Sequence, residues 1–552
     1  MSSLSAGWEQ VLRSQESMPA IVSRMAQLDP DRPFVKSVTA RSMTWGQLRS
    51  SVDLWAARFL ALGIQKGDIV ATLVDSDLES LAAWLALASI EAIDCATNAE
   101  FRGRMLAYAI NNCRPSLVVV ARHYLPCLEA VAGDLQSVKQ VLVLDGDSAA
   151  TEVESRLPGL TQLHALQCDI TAARRRMVEP GWHDIACITY TSGTTGPSKA
   201  VLLPWGQLNA INLGTFPFED LRASDILYCT TSHAHFGSKA IPYLAAMVGG
   251  QVVIRSRFAL NSFWQDVSRF GITTGMLVGT MAEMLARSPD SPAADTSLKN
   301  LFMAPLGSAY RQFSERFGTR ICTIYNSTEG GVAICSSWNP PNERTVGRLR
   351  QGYPGFEVRI VDEHDFEVPD GTPGECIVRA AVPWVMNAGY LHNAEATATA
   401  WRNGWFHTGD ALARTKDGDY IFVDRLKDVI RRRGENISSY EVETDVLLNR
   451  EIIECAAVAV AADSAEDEIL LFAVKSAASS ISPQSLCADL ESRMARFMVP
   501  RYIEFVENLP KTQATQRVLK AELRQRGIGP LTWDRRTQAC AGKTESWPSS
   551  KE

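Results

Sequence analysis

The chain has 552 residues, of which 46% are hydrophobic and 21% charged, with a formal net charge of -7. Such a length exceeds one ordinary core, so several domains or subdomains are expected, and the composition excludes extensive disorder away from the ends. The acidic balance gives no electrostatic reason to bind nucleic acid or an anionic membrane, and no run approaches the roughly 20 apolar residues of a membrane-spanning helix.

Glu9, Arg13 and Glu16 stand among few apolar residues at the N-terminus, which therefore lacks the apolar region of a secretory signal. From about Met18 to Val143, predicted helices at Trp45–Leu62, Leu78–Ile90 and Arg104–Asn112 alternate with short apolar strands at Ile69–Leu73, Ser116–Val120 and Gln140–Leu144. The alternation argues for layered α/β sheets, and it resumes after Ile185 with strands at Ile226–Thr230, Gln251–Ile254 and Gly275–Val278. After Gly352 the texture changes to short β runs (Glu357–Val361, Gly374–Arg379) broken by Asp-Gly and Pro-Gly turns and ending at Tyr420–Val423, the pattern of a small β subdomain. Beyond Asp424 an independent α/β pattern follows: helix Tyr440–Leu448, strands Glu454–Ala461 and Glu468–Lys475, helix Ser485–Arg496 and strand Tyr502–Phe505. The expected fold class is α/β, with a large N-terminal domain over 1–423 and a smaller α+β C-terminal domain over 429–530; the Ser- and Pro-containing stretch 531–552 reads as a disordered tail. Twelve scattered cysteines, with no CxxC pair and no Cys/His cluster, suit reduced core residues of a cytoplasmic protein.

The most informative segment is Tyr190-Thr-Ser-Gly-Thr-Thr-Gly-Pro-Ser-Lys199, which follows the apolar strand Asp184–Thr189. Glycines let a backbone approach a polyphosphate, hydroxyls and amides donate to its oxygens, and a lysine adds a point charge. The spacing does not fit a Walker A loop. By itself such a run is equally readable as a plain turn.

In order along the chain come Tyr325-Asn-Ser-Thr-Glu329, Trp405-Phe-His-Thr-Gly-Asp410, Asp424-Arg-Leu-Lys-Asp428, Arg433-Gly-Glu-Asn436 and Leu509-Pro-Lys-Thr512. With the glycine-rich loop, these motifs resemble the adenylate-forming (AMP-binding) superfamily, which groups acyl-CoA synthetases, peptide-synthetase adenylation domains and beetle luciferases. The resemblance runs from about Met18 to Arg526. The stretches Arg431–Glu443 and Tyr390–Asp410 look most like carnitine and medium-chain acyl-CoA ligases.

The resemblance implies a role for each matching position. Thr191, Ser192, Gly193, Thr194, Thr195, Gly196 and Lys199 would hold the phosphates of ATP, Thr328 would meet the α-phosphate, and Glu329 would bind Mg²⁺. Ala304, Pro305, Tyr325, Asn326 and Ser327 would line the adenine side. Asp410 would accept from the ribose hydroxyls, a bidentate task suited to a carboxylate, with Arg425 as the matching cation. His235, Phe236, Gly237, Ser238, Met303 and Gly330 would form the acid pocket, with His233 the weaker of two histidine candidates. Gly434 would line a tunnel for coenzyme A with Arg433 beside it, and segment 424–428 would hinge a mobile C-terminal domain about Lys427. Amino-acid-activating relatives hold the substrate amine with a carboxylate near the position of Gly237, so a hydrophobic acid is expected and an amino acid is not. The basic run Arg174–Arg176 is read as solvated surface.

Four positions depart from the family pattern. Arg517 stands where the adenylation lysine is usual, with Gln516 at the preceding glycine; arginine keeps the charge but not the compact geometry. Lys511 and Lys520 are alternatives if that loop shifts. Asn326 replaces a glycine, and so does Met303 before Ala304-Pro305.

The expected reaction joins an acid to coenzyme A through an acyl-adenylate, with ATP and Mg²⁺. Amide synthesis, carrier-protein loading, a thioesterification-only specialist and a nucleotide-binding protein without activity are the alternatives. The partners expected are a small carboxylic acid and, if any protein, an acyl carrier or a downstream enzyme; oligomeric state is open.

Overall fold

The computed structural model describes residues 16–144, 156–191, 198–277, 279–288, 291–292, 296–306, 310–426, 428, 430–432, 435–461, 467–492, 494–495, 498–512 and 518–540. Three seven-stranded sheets build the N-terminal domain and one five-stranded sheet builds the C-terminal domain.

The first sheet runs, in spatial order, Leu160–Gln162, Val141–Leu144, Leu117–Ala121, Ile69–Leu73, Ile93–Ala96, Ile185–Thr191 and Lys199–Pro204. All its pairs are parallel except the last. The second runs Arg320–Cys322, Asn300–Met303, Thr274–Leu277, Ile226–Cys229, Gln251–Ile254, Pro33–Ser37 and Ser42–Thr44, again parallel until its last pair. Helices cover these sheets, so strands such as Leu117–Ala121 are continuously apolar rather than alternating. The helix Trp45–Ala61 starts on a capping box, in which Thr44 Oγ1 accepts from Gln47 N and Gln47 Oε1 accepts from Thr44 N. The core between the two sheets is anchored by Trp45, Trp55, Trp84 and Trp205, with Trp84 stacked on Trp205 at 5.2 Å.

A buried polar knot also ties the first two sheets. Lys239 Nζ meets Asp94 Oδ2 at 2.7 Å, and His233 Nε2 lies 2.8 Å from Thr72 Oγ1. Asp94 and Thr72 belong to strands of the first sheet, while His233 and Lys239 follow the strand Ile226–Cys229 of the second. Lys239 is 2% and Asp94 1% exposed, so each charge depends on the other.

The third sheet is antiparallel throughout, in the order Ile324–Ser327, Gly331–Cys335, Thr345–Leu349, Asp419–Arg425, Phe406–Arg414, Gly374–Ala380 and Phe356–Val361. It begins well before the Gly352 expected from sequence. The apolar run Arg320–Ile324 is divided between two sheets: Arg320–Cys322 joins the second and Ile324–Ser327 the third.

The C-terminal sheet has the order Ile452–Ala461, Asp467–Lys475, Tyr502–Phe505, Trp533–Asp534 and Ala539–Cys540. This corrects the expectation of a disordered tail from Leu531. Trp533 is 2% exposed within the domain core, and Arg501 holds Asp534 through two hydrogen bonds, so 532–540 extend the fold despite their polar composition. Residues 541–552 lie outside the described residues. The expected domain edge at 423 falls within the strand Asp419–Arg425, whose end pairs Arg425 with Asp410. Asp424 then reaches the C-terminal domain, accepting from Ser439 N at 2.6 Å and Ser439 Oγ at 2.5 Å. Arg344 spans the same junction to Glu441 at 2.7 Å.

Candidate active site

The site is built around a tight turn of the third sheet. Thr328, Glu329 and Gly330 connect the antiparallel strands Ile324–Ser327 and Gly331–Cys335. Gly331 takes a φ of 68°, a left-handed conformation that suits glycine, and Ser327 Oγ accepts from Gly330 N at 2.8 Å. Gln207, fully buried on the helix Trp205–Thr215, donates to the carbonyls of Thr328 at 2.8 Å and Glu329 at 3.1 Å. Asn387 donates its side-chain amide to the Glu329 carbonyl at 2.9 Å. The turn is therefore held from two sides by its backbone, which leaves the Thr328 and Glu329 side chains to chemistry.

Tyr390 supplies the next contact, donating its hydroxyl to Glu329 Oε1 at 3.2 Å. Lys199 Nζ stands 4.7 Å from the centre of the Tyr390 ring, a cation–π arrangement that brings the end of the glycine-rich segment to the turn. Burial pushes the Glu329 carboxyl above the ordinary carboxylate range, while the Tyr390 hydroxyl and the charges of Arg425 and Lys199 oppose that rise. A buried carboxylate with a cationic surround of this kind offers a hard oxygen donor, the ligand type Mg²⁺ prefers.

On the neighbouring strands, Asp410 and Arg425 are a cross-strand pair with Arg425 Nε 3.2 Å from Asp410 Oδ1. Tyr325 donates its hydroxyl to Asp410 Oδ2 at 2.7 Å. Tyr325 is 7% exposed and packed in the core of the third sheet, so it reaches the site as a support for Asp410. The backbone before Asp410 is itself clamped: Gly409 N donates to Glu375 Oε1 at 3.0 Å, and Glu375 Oε2 lies 2.9 Å from His407 Nδ1. Asp365, Glu375 and His407 form a cluster of metal-ligand type, but Arg402 Nη2 is already 3.0 Å from Glu375 and 3.3 Å from Asp365 and supplies the compensating charge.

An apolar slot of about 30 Å³ opens beside the turn, walled by Ile211, Phe216, Tyr228, Phe236, Phe302 and Ile324 among others, with Gly237 and Asn326 also on its surface. Added to Gly237, a Cβ would stand 2.9 Å from His235 Nδ1 and 3.0 Å from Thr231 Cγ2, so only glycine fits that wall. Of the residues assigned by sequence to the acid pocket, Phe236 and Gly237 line this slot. The other four do not. Met303 follows Phe302 on one strand and points to the opposite face, where it is buried against the core of the second sheet; Phe302 takes the place expected of it. Ser238 Oγ donates to the carbonyls of His233 and His235, and Gly330 sits in the turn against Phe406. His235 accepts from Gly237 N at 3.0 Å and burial pushes its ring down to about 4, while His233 belongs to the knot with Asp94. Asn326, assigned to the adenine side, faces the slot.

Thr191 ends its strand opposite Lys199, and Ala304 and Pro305 follow Met303 at the end of theirs. Ser192, Gly193, Thr194, Thr195, Gly196, Lys427, Arg433, Gly434 and Arg517 lie outside the described residues. Both alternatives to Arg517 are committed elsewhere: Lys511 pairs with Glu454, and Lys520 meets Glu443 at 2.8 Å and Ser439 Oγ at 2.5 Å. Sequence reading missed Gln207, Asn387, Tyr390 and Glu375. Amides inside the apolar run Trp205–Leu213 were the visible signal for Gln207.

The sequence model of the family described as AMP-binding enzyme matches residues 22–391, and that of the AMP-binding enzyme C-terminal domain matches 441–515. A crotonobetaine/carnitine–CoA ligase of Proteus mirabilis is 28% identical over 491 residues, covering 88% of this chain and 93% of its own. ATP-bound MatB from Rhodopseudomonas palustris superposes with a TM-score of 0.77 at 22% identity, over 92% of this chain and 98% of that one. A benzoate CoA ligase from Burkholderia xenovorans gives 0.76 at 18% identity, over 92% and 99%.

Proposed function

Because the chain belongs to the AMP-binding enzyme family, we propose that it is an AMP-forming acyl-CoA synthetase, which activates a carboxylic acid with ATP and passes the acyl group to coenzyme A. The observation that carries this reading is the convergence of Glu329, Tyr390 and Lys199 on one turn with the Tyr325–Asp410–Arg425 group on the strands beside it.

Attack of a carboxylate on the α-phosphate brings two anions together, so the site must neutralise charge and hold both groups in line. Lys199 and the hydroxyl-rich loop before it take the outgoing pyrophosphate, and Thr328 donates to the α-phosphate. Asp410, steadied by Tyr325 and Arg425, accepts from the ribose hydroxyls. Glu329 would hold Mg²⁺, which when bound would supply charge neutralisation at the phosphates. Arg517 is carried in by the C-terminal domain for this half-reaction. The same domain then turns about Lys427 to present the Gly434 face, along which the coenzyme A thiol reaches the acyl-adenylate and displaces AMP.

The slot beside the turn marks the floor of the acyl pocket and must widen from its about 30 Å³ to admit an acyl group. Its walls carry no charged side chain, which favours an apolar acid over an amino acid or a dicarboxylate. The described cysteines are all free, which supports a cytoplasmic protein, and no helix among the described residues is long and apolar enough to cross a membrane.

The test is pyrophosphate release by the full chain over a panel of acids with ATP and Mg²⁺, with and without coenzyme A. Acid-dependent pyrophosphate and AMP, with acyl-CoA formed only when the thiol is present, is the expected result. Acid-dependent amide formation without coenzyme A, or no acid-dependent turnover at all, overturns it.

A further inference from the structure

The slot has one polar group that the protein leaves unsatisfied. Asn326 lines it, and its Oδ1 is buried with no hydrogen-bond partner. The other polar side chains of the wall are bonded within the protein. Thr215 Oγ1 donates to the Ile211 carbonyl at 2.8 Å, Thr274 Oγ1 accepts from Asn300 at 3.2 Å, Tyr228 donates to Asp266, and Asn212 contacts Met247 Sδ at 3.7 Å.

Strand geometry determines where Asn326 points. On Ile324–Ser327 the side chains alternate, so Tyr325 turns to Asp410 on one face while Ile324 and Asn326 turn to the slot on the other. Asn326 is also only two residues from Thr328. On the proposed role of Thr328 at the α-phosphate, the acyl carboxyl group would react close to this amide. A glycine at this position would leave a plain apolar wall; an asparagine adds an acceptor whose desolvation is compensated only when a donor meets it.

We infer that the acid taken by this enzyme is apolar apart from one hydrogen-bond donor, a hydroxyl or N–H within a few bonds of the carboxyl carbon, and that Asn326 is the residue that recognises it. The inference rests on the acyl-CoA synthetase reading. A site built to bond a substrate hydroxyl rejects the analogue that lacks it far more strongly than an apolar wall rejects a missing methylene.

The experiment uses pairs of aryl and short aliphatic acids identical except for a hydroxyl at the 2- or 3-position. Pyrophosphate release and acyl-CoA formation are measured for the wild type, Asn326→Leu and Asn326→Gly. The wild type is expected to favour the hydroxy acid by at least about tenfold in kcat/KM, as hydrogen-bonding sites do. Asn326→Leu, a near-isostere without the acceptor, is expected to lose or invert that preference, with the change in the acid parameter and not in KM for ATP. Acids activated by the wild type without a hydroxyl preference overturn the inference, and so does an Asn326→Leu protein of unaltered Tm that keeps the preference. Absence of turnover with every acid in the wild type instead sinks the synthetase reading, and this inference with it.

Discussion

Tyr390 donates its hydroxyl to Glu329 Oε1 over 3.2 Å, so a carboxyl group that burial pushes upward has its ionised form supported by this phenol together with the charges of Arg425 and Lys199. Glu329 must be ionised to hold a cation, so activity should fall with acidity at a higher pH than an ordinary glutamate would dictate. Tyr390→Phe removes a donor to the anion and raises that pKa further. The acid limb of kcat/KM for pyrophosphate release should move upward by about one pH unit, the scale of one charge-assisted hydrogen bond. An unmoved limb would detach Tyr390 from the chemistry.

Glu329→Gln and Asp410→Ala should each lower acyl-adenylate formation at least tenfold, about 1.4 kcal/mol of transition-state stabilisation. The two losses should differ in kind. Asp410→Ala should appear mainly in KM for ATP, because the proposed task of Asp410 is to hold ribose, and Glu329→Gln mainly in the response to Mg²⁺. Steady-state titrations of ATP and Mg²⁺ separate them, and near-normal rates in both variants would break the assignment of the nucleotide site.

Lys511 and Lys520 are engaged by Glu454 and Glu443, so the proposed bridge between the carboxylate and the α-phosphate is assigned to Arg517. Arg517→Ala should depress adenylation by roughly 1.5–3 kcal/mol and spare thioesterification of supplied acyl-adenylate. Gly434→Trp should do the reverse, because its bulk obstructs the thiol and not ATP. Single-turnover kinetics of each half-reaction provide the check; equal losses in both halves for both variants contradict the division of labour.

Lys239→Met should destabilise the protein by about 3–5 kcal/mol, because it leaves the Asp94 carboxylate buried without its partner. Asp94→Leu combined with Lys239→Met should recover most of that loss, since the pair as a whole is replaced by apolar volume. Urea unfolding of the two variants tests this, and additive losses in the double variant would show that the pair contributes more than mutual neutralisation.

Much of the fold was legible. The helices Trp45–Ala61 and Leu78–Ser89 differ from their expected ends by one residue, because capping residues and apolar periodicity are local signals. The division of 320–327 between two sheets was not, since strand partners are chosen by distant segments. The tail misled for a related reason: Trp533 stands in a largely polar stretch, and only pairing with the strand Tyr502–Phe505 gives it somewhere to pack. In the candidate site, Glu329, Asp410, Arg425 and Lys199 were all named from motifs, whereas the sequence did not show that Phe302 rather than Met303 lines the slot or that Asn326 lines it too. Motif spacing carries no information about the face a strand residue presents; a shift of one position reverses it.

The sequence by itself determined the membership of the family, the α/β class and the set of charged and hydroxyl residues available for chemistry, because glycine-rich loops and motif carboxylates are written in consecutive positions. Only the tertiary structure decided that Tyr390 and Gln207 serve the Thr328–Gly330 turn, that Tyr325 supports Asp410, and that Phe302 and Asn326 face the slot. Those relations depend on side chains far apart in the chain meeting in a packed interior, where direction and partner are set by sheet register and burial rather than by neighbours in sequence.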